Sequence, residues 1–325
     1  VTNLVVSLLA VMLSTNPPTA LSNLIQQTTG MTVSVPDPND PVQKEYRQLM
    51  EEDDAVVSEV DRMIKEDNAA HGRGSGLSES ELNSRILKRF TPVRAHYEDF
   101  LKRNPEHING HLAFGSFLDD MKDENASRDE IAKAIKLDPK NAAAWNNLAN
   151  HYSHTGPPSK MFEYYQKAID LSPSEPIYYQ NLADAVFVYR KQAQEYYQLA
   201  DDQAVFNKSL EIYQNAVRLN PTNFVLATEL ANNYYGIKPT RTDDALNAWS
   251  NALKIAETPE QKEGVYLHLA RFNLNAGRFA EAHRLLNSVT NAAFNDLKSR
   301  LTRNLAEREK EALTNSPSAT PPDKK

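Results

Sequence analysis

Apolar residues recur along this chain every three or four positions, in stretches of roughly a dozen residues that end at prolines. The stretches "YEDFLKRNP", "IAKAIKLDP" and "YQKAIDLSP" close on Pro105, Pro139 and Pro173, spaced 34 residues apart. A fourth, "YQNAVRLNP", closes on Pro221 after 48 residues, the same interval lengthened by 14. The spacing predicts a helix in each stretch, and a proline beyond its end marks where the helix stops. One amphipathic helix of this length is marginal alone in water, so a fixed period predicts helical pairs that stack on one another. Long β-branched runs are scarce and glycines number only ten, so the fold class expected is all-α.

With that register set, residues 142–175 present Trp145, Leu148, Ala149 and Tyr152, then Tyr165, Ala168 and Pro173. This order resembles the tetratricopeptide repeat, whose pattern is W-x2-L-G-x2-Y, then A-x3-F, then P. Residues 108–141 follow it with Phe114, Gly115, Leu118, Ile131, Ala134 and Pro139, and His111 stands in the tryptophan place. Residues 176–223 give Tyr179, Leu182, Ala183 and Val186, then, after an insertion, Tyr213, Ala216 and Pro221. Further units run over 224–259 (Leu230, Ala231, Tyr234, Ala245, Trp249, Ala252) and 263–296 (Tyr266, Leu269, Ala270, Gly277, Ala282, Leu286). The resemblance therefore covers 108–296 and implies a helix-turn-helix solenoid wound as a right-handed superhelix. Small residues at Gly115, Ala149, Ala183, Ala231 and Ala270 let paired helices approach, and Trp145 is expected as an interior knob between them. Met161 replaces a small residue and is expected to loosen its pair.

The flanks extend this plan. Residues 42–107 read as a degenerate amino-terminal hairpin, with Val42, Tyr46, Leu49, Val56, Val60 and Met63 at helical spacing. The glycine-rich "HGRGSG" links it to a second helix, opened by a capping box of Ser78 and Glu81 and kinked or split at Pro92. Residues 291–313 form a charged helix suited to cap the stack, and 314–325 a disordered tail. Residues 1–41 differ from the rest, because no Asp, Glu, Lys or Arg occurs before Pro36. "LVVSLLAVML" (4–13) is long enough for the core of an export signal and too short to cross a bilayer, and Asn16-Pro17-Pro18 interrupts it. The segment is read as a signal remnant, an anchor or a helix docked in the chain's own groove. An exported, periplasmic or envelope-associated location is favoured over a cytoplasmic one.

Charge and composition narrow the chemistry. The net charge is −7 and no basic run occurs, which argues against nucleic acid as a partner. There is no cysteine, hence no disulfide, thiolate site or cysteine nucleophile. His107/His111 and His151/His154 have helical metal spacing without a third ligand, "GRGSG" lacks the strand and lysine of a phosphate loop, and no nucleophile, acid and base assemble. No catalytic residue, metal or cofactor is expected.

What remains is a binding surface. Asn147, Asn150, Asn181 and Asn232 fall on first helices of their pairs. The resemblance implies that such helices line a concave groove, with Asn146, Asn150, Gln180, Asp184, Asn232 and Arg271 facing a protein or peptide. Repeats that clamp a carboxylate tail carry lysines and an arginine there. The corresponding positions here hold Leu112, Asn146, Gln180 and Thr228, with Asp119, Asp184 and Glu229 nearby. An anionic tail is therefore disfavoured and a neutral or basic peptide favoured. Tyr196, Tyr197 and Phe206 in the 190–208 insertion are a second candidate surface, or rings that pack on each other. The expected function is a non-enzymatic scaffold. The alternative is an envelope- or membrane-associated structural component anchored through 1–36, the one place where membrane contact is expected.

Overall fold

Helical spacing dominates residues 40–314, the part of the chain that the computed structural model describes, and the regular structure there is fourteen α-helices with one short 3-10 turn and no strand. The uncharged segment 1–36 and the tail beyond Thr314 lie outside the described residues. The chain divides into two compact units after His151. The first holds α1 (Pro41–His71), α2 (Glu79–Arg103), α3 (Ile108–Asp120), α4 (Glu124–Leu137) and most of α5 (Ala142–Thr155). The second holds α6 (Pro158–Leu171), α7 (Pro176–Val188), α8 (Arg190–Tyr196), α9 (Asp202–Leu219), α10 (Phe224–Asn233), α11 (Thr242–Ile255), α12 (Pro259–Asn275), α13 (Phe279–Asn287) and α14 (Asn295–Thr314). No helix among the described residues is long and apolar enough to cross a membrane.

The periodic prolines act as the spacing predicts. α2, α4, α6 and α9 end on Asn104, Asp138, Ser172 and Asn220, whose N–H groups return to Phe100, Ala134, Ala168 and Ala216. Pro105, Pro139, Pro173 and Pro221 follow these caps, and the chain turns into the next helix. Each of the first three turns is then tied from six residues downstream. The ring nitrogen of His111 donates to the Pro105 carbonyl at 2.9 Å, the Trp145 indole to Pro139 at 2.9 Å, and the Tyr179 hydroxyl to Pro173 at 3.1 Å. Three different side chains thus do one job, a polar hydrogen on a flat ring satisfying a turn carbonyl. This bond also corrects the expectation for Trp145. The indole is half-buried at the turn rather than an interior knob, because its N–H must reach Pro139.

The first unit is built around rings. Tyr97 is fully buried, with Phe114 at 5.0 Å and Phe117 at 5.2 Å, and Phe90 meets Phe117 edge-on at 5.3 Å. Leu49, Val56 and Val60 of α1 close over this cluster. Ser78 and Glu81 make the reciprocal capping box that opens α2. A kink or a split was expected at Pro92, and the helix is not split there. Pro92 is exposed, so water can satisfy the carbonyl whose bond the ring removes. Gly115 lets α3 and α4 touch, since a β-carbon there would lie 2.7 Å from Ile131.

In the second unit the large interior residue is Trp249, 1% exposed and stacked at 3.9 Å on His268, with Tyr235 stacked at 4.6 Å on Phe272. Met161 is fully buried beside Phe162 on the same helix. An unbranched thioether fills such a space by changing rotamer. At the carboxyl end, the Glu263 carboxylate accepts from the Thr290 N–H (2.8 Å), the Thr290 hydroxyl (2.8 Å) and the Asn291 N–H (2.7 Å). Those bonds hold the Glu263 carboxyl below the usual carboxylate range. They fix the turn from which α14 returns to bury Leu301 and Leu305.

Candidate functional site

Helix spacing decides which polar groups of the second unit meet. Gln180 and Asp184 are one turn apart on α7, and Glu229 sits mid-way along α10. The Gln180 amide donates to Glu229 at 2.8 Å, and the Tyr213 hydroxyl of α9 donates to Asp184. All three polar groups on α7 and α10 are half-buried, whereas Tyr213 is 3% exposed. Burial raises the pKa of Asp184, and the Tyr213 hydrogen bond opposes it only in part. Glu229 is pushed from 4.5 up to about 7, first by burial and then by the charge of Asp184, against the Gln180 hydrogen bond. Two carboxylates thus face the same space with neutral donors and no ion pair among the described residues. Chemically this is a hydrogen-bonding surface of negative potential.

The other expected residues of this unit group separately. Arg271 is exposed on α12 and lies over the ring of Tyr235 at 5.5 Å. The Tyr235 hydroxyl meets Nδ1 of His268 at 2.9 Å. Burial, and then the Arg271 charge, lower the His268 pKa to about 4, so the imidazole that pairs with the Tyr235 hydroxyl is neutral at neutral pH. Asn232 is exposed on α10, one helical turn from Tyr235. The insertion forms the short α8 and lengthens α9. Tyr196 and Tyr197 lie 5.2 and 5.6 Å from Phe162, and 4.8 Å from each other. Phe206 instead meets Phe187 at 5.5 Å and covers Gly236. Tyr196 remains 40% exposed. Gln203 secures the 236–241 loop, accepting from the Lys238 N–H at 2.5 Å and donating to Gly236 at 3.1 Å.

In the first unit Asn146 is buried, 6% exposed, while Asn150 is exposed and Asn147 donates to Ser116 at 3.3 Å. The histidines with metal-like spacing have other tasks. His107 caps α3, accepting from the Gly110 N–H at 2.9 Å; His111 lies between Glu130 (2.6 Å) and Pro105; His151 contacts Asp119 at 3.0 Å. Among the described residues, no cluster of three or more His, Asp or Glu is placed to hold a metal. Sequence reading named Asp184 and Glu229 as surface groups, Tyr213 only as a repeat position that reads as packing, and Tyr235 not at all. The hydroxyl partners of the two tyrosines lie 29 and 33 residues away.

A family model described as tetratricopeptide repeat matches residues 109–141 and 142–175. A photosystem I assembly protein, Ycf3, from Rippkaea orientalis is 28% identical over 102 residues, 30% of this chain and 59% of the relative. Its counterpart from Cyanophora paradoxa is 31% identical over 81 residues, 25% of this chain and 47% of the relative. The chain spans about half the length of the curated relatives it matches. The crystal structure of the C-terminal part of a TPR repeat-containing protein from Cytophaga hutchinsonii superposes with a TM-score of 0.50 at 10% identity. That match covers 79% of this chain and 98% of the other, and it shows likeness of fold. Two matched repeats at 109–175, turn-closing prolines at the repeat period and a wholly helical described region identify tetratricopeptide repeats in this chain.

Proposed function

We propose that the protein is a non-enzymatic scaffold that binds a protein segment along its inner helices and prefers neutral or basic chains to an anionic carboxylate tail. Tetratricopeptide-repeat proteins mediate protein–protein interaction and assembly. The observation that carries the preference is the uncompensated pair Asp184 and Glu229 beside Gln180, a half-buried polar surface of negative potential. Asn232 and Arg271 extend the same reading along α10 and α12, and in the first unit exposed Asn150 and buried Asn146 are its candidates. Tyr196 offers an exposed ring to a partner beyond the groove, with Tyr197 and Phe162 packed against it, while Phe206 packs on Phe187 instead. An assembly role of the kind that the relatives' names describe fits this surface.

The test is a chain carrying Asp184→Asn, Glu229→Gln and Asn232→Ala together, measured against a short lysine-containing peptide. Binding should weaken by about tenfold or more, the factor that 1.4 kcal/mol carries, while helicity by circular dichroism stays unchanged. Equal binding by the folded variant would overturn the reading.

A further inference from the structure

Asp184 and Glu229 belong to different helical pairs, and the groups around them explain how they are tied. α7 supplies Asp184 and the Gln180 amide, α10 supplies Glu229, and α9 supplies the Tyr213 hydroxyl. α6 adds Tyr165, whose pKa is raised by burial and then by the charge of Asp184. Tyr213 is raised the same way, with Glu229 adding to the effect, so both phenols stay neutral. The groups that act on Glu229 are Asp184 and Gln180, and the one that acts on Asp184 is Tyr213. None of these is a cation. Each carboxylate has one neutral donor and is half removed from water. Two such groups in reach of each other's charge resist ionising together, and their protons leave in steps that belong to the pair.

We propose that Asp184 and Glu229 form a one-proton clasp between α7 and α10, closed while one of the two carboxyls keeps its proton and loosened when both are ionised. The Gln180–Glu229 hydrogen bond brings Glu229 to the helix that carries Asp184. When both carboxyls are ionised their repulsion acts across this contact, against a bond that by itself favours the ionised acid. The sign follows from the direction of the shift. The folded chain holds the Glu229 proton up to about 7, whereas the ordinary value is 4.5, so it binds more protons than the unfolded chain between those values. The contribution is complete below the ordinary value and declines as pH rises through about 7. The clasp is a property of the fold and stands whether or not the binding reading holds.

The experiment uses the full chain with carbon-13 in its side-chain carboxyls, titrated by NMR as wild type, Glu229→Gln and Asp184→Asn. Amide hydrogen exchange in α7 and α10 is followed in parallel, corrected for its intrinsic pH dependence. The wild type should show one carboxyl titrating close to neutrality. That signal should vanish in Glu229→Gln and move toward the ordinary carboxylate range in Asp184→Asn. Exchange from α7 and α10 should rise about tenfold across the titration in the wild type and stay level in Glu229→Gln. A wild type whose carboxyls all titrate in the ordinary range would overturn the clasp. So would an exchange profile that Glu229→Gln shares with the wild type. Asp184→Asn, read by its own titration, keeps the test decisive should Glu229→Gln fold poorly.

Discussion

In the first unit Tyr97 of α2 donates to Asp53 of α1, and in the second Tyr213 of α9 donates to Asp184 of α7. Both tyrosines are buried, both aspartates are half-buried, and burial is the largest cause of the raised pKa of each acid. The surroundings differ. Asp53 is raised to about 6, with Asp120 and Asp54 contributing charge and no hydrogen bond to it. Its hairpin is laced by exposed ion pairs, Arg103 with Glu45 and Arg89 with Glu59. Beside Asp184 the second acid, Glu229, comes from the next pair and is itself bonded through Gln180. A tyrosine–aspartate bond alone clamps one hairpin. A second carboxylate, bonded from the following hairpin, couples one repeat to the next.

Substitutions can break this comparison at several depths. Tyr97→Ala should cost about 3–5 kcal/mol by urea denaturation, and Tyr213→Ala less, because Tyr97 also stacks on Phe114 and Phe117. Changing either tyrosine to Phe keeps the ring and removes the donor. A loss of about 1–3 kcal/mol is expected at neutral pH in both, the penalty for a carboxylate deprived of its partner. The pH dependence separates the units. Since Asp53 moves from 3.8 to about 6 and Glu229 from 4.5 to about 7, wild-type stability should fall as pH rises through these intervals. Asp53→Asn should remove the lower part of that fall and Glu229→Gln the upper part, as urea midpoints across pH would show. Arg103→Ala should leave the urea midpoint nearly unchanged, because its pairs are solvent-exposed.

The helical fold was legible because it rests on local rules. Prolines at a fixed interval and the Ser78–Glu81 box act within a few residues of themselves, and Gly115 acts within its own helical pair, on Ile131. Trp145 was misread because its type suggests an interior position, whereas its N–H is drawn to Pro139. The same bond makes sense of His111 at the tryptophan place, which the repeat pattern alone leaves as an exception. The helix is not split at Pro92, where sequence shows the ring but not that it faces water. The polar surface was legible only as residue types on first helices. That Tyr213 reaches Asp184, and Gln180 reaches Glu229 across 49 residues, depends on how successive pairs stack, and no local spacing encodes it.

The proposed binding preference is tested most directly by one titration series. Peptides of equal length and graded net charge, from basic to acidic, are bound to the wild-type chain and to a chain with Asp184→Asn and Glu229→Gln. The account predicts affinity that rises with positive charge in the wild type and loses most of that slope in the variant. Tighter binding of the acidic peptides, or an identical slope in both chains, would contradict it.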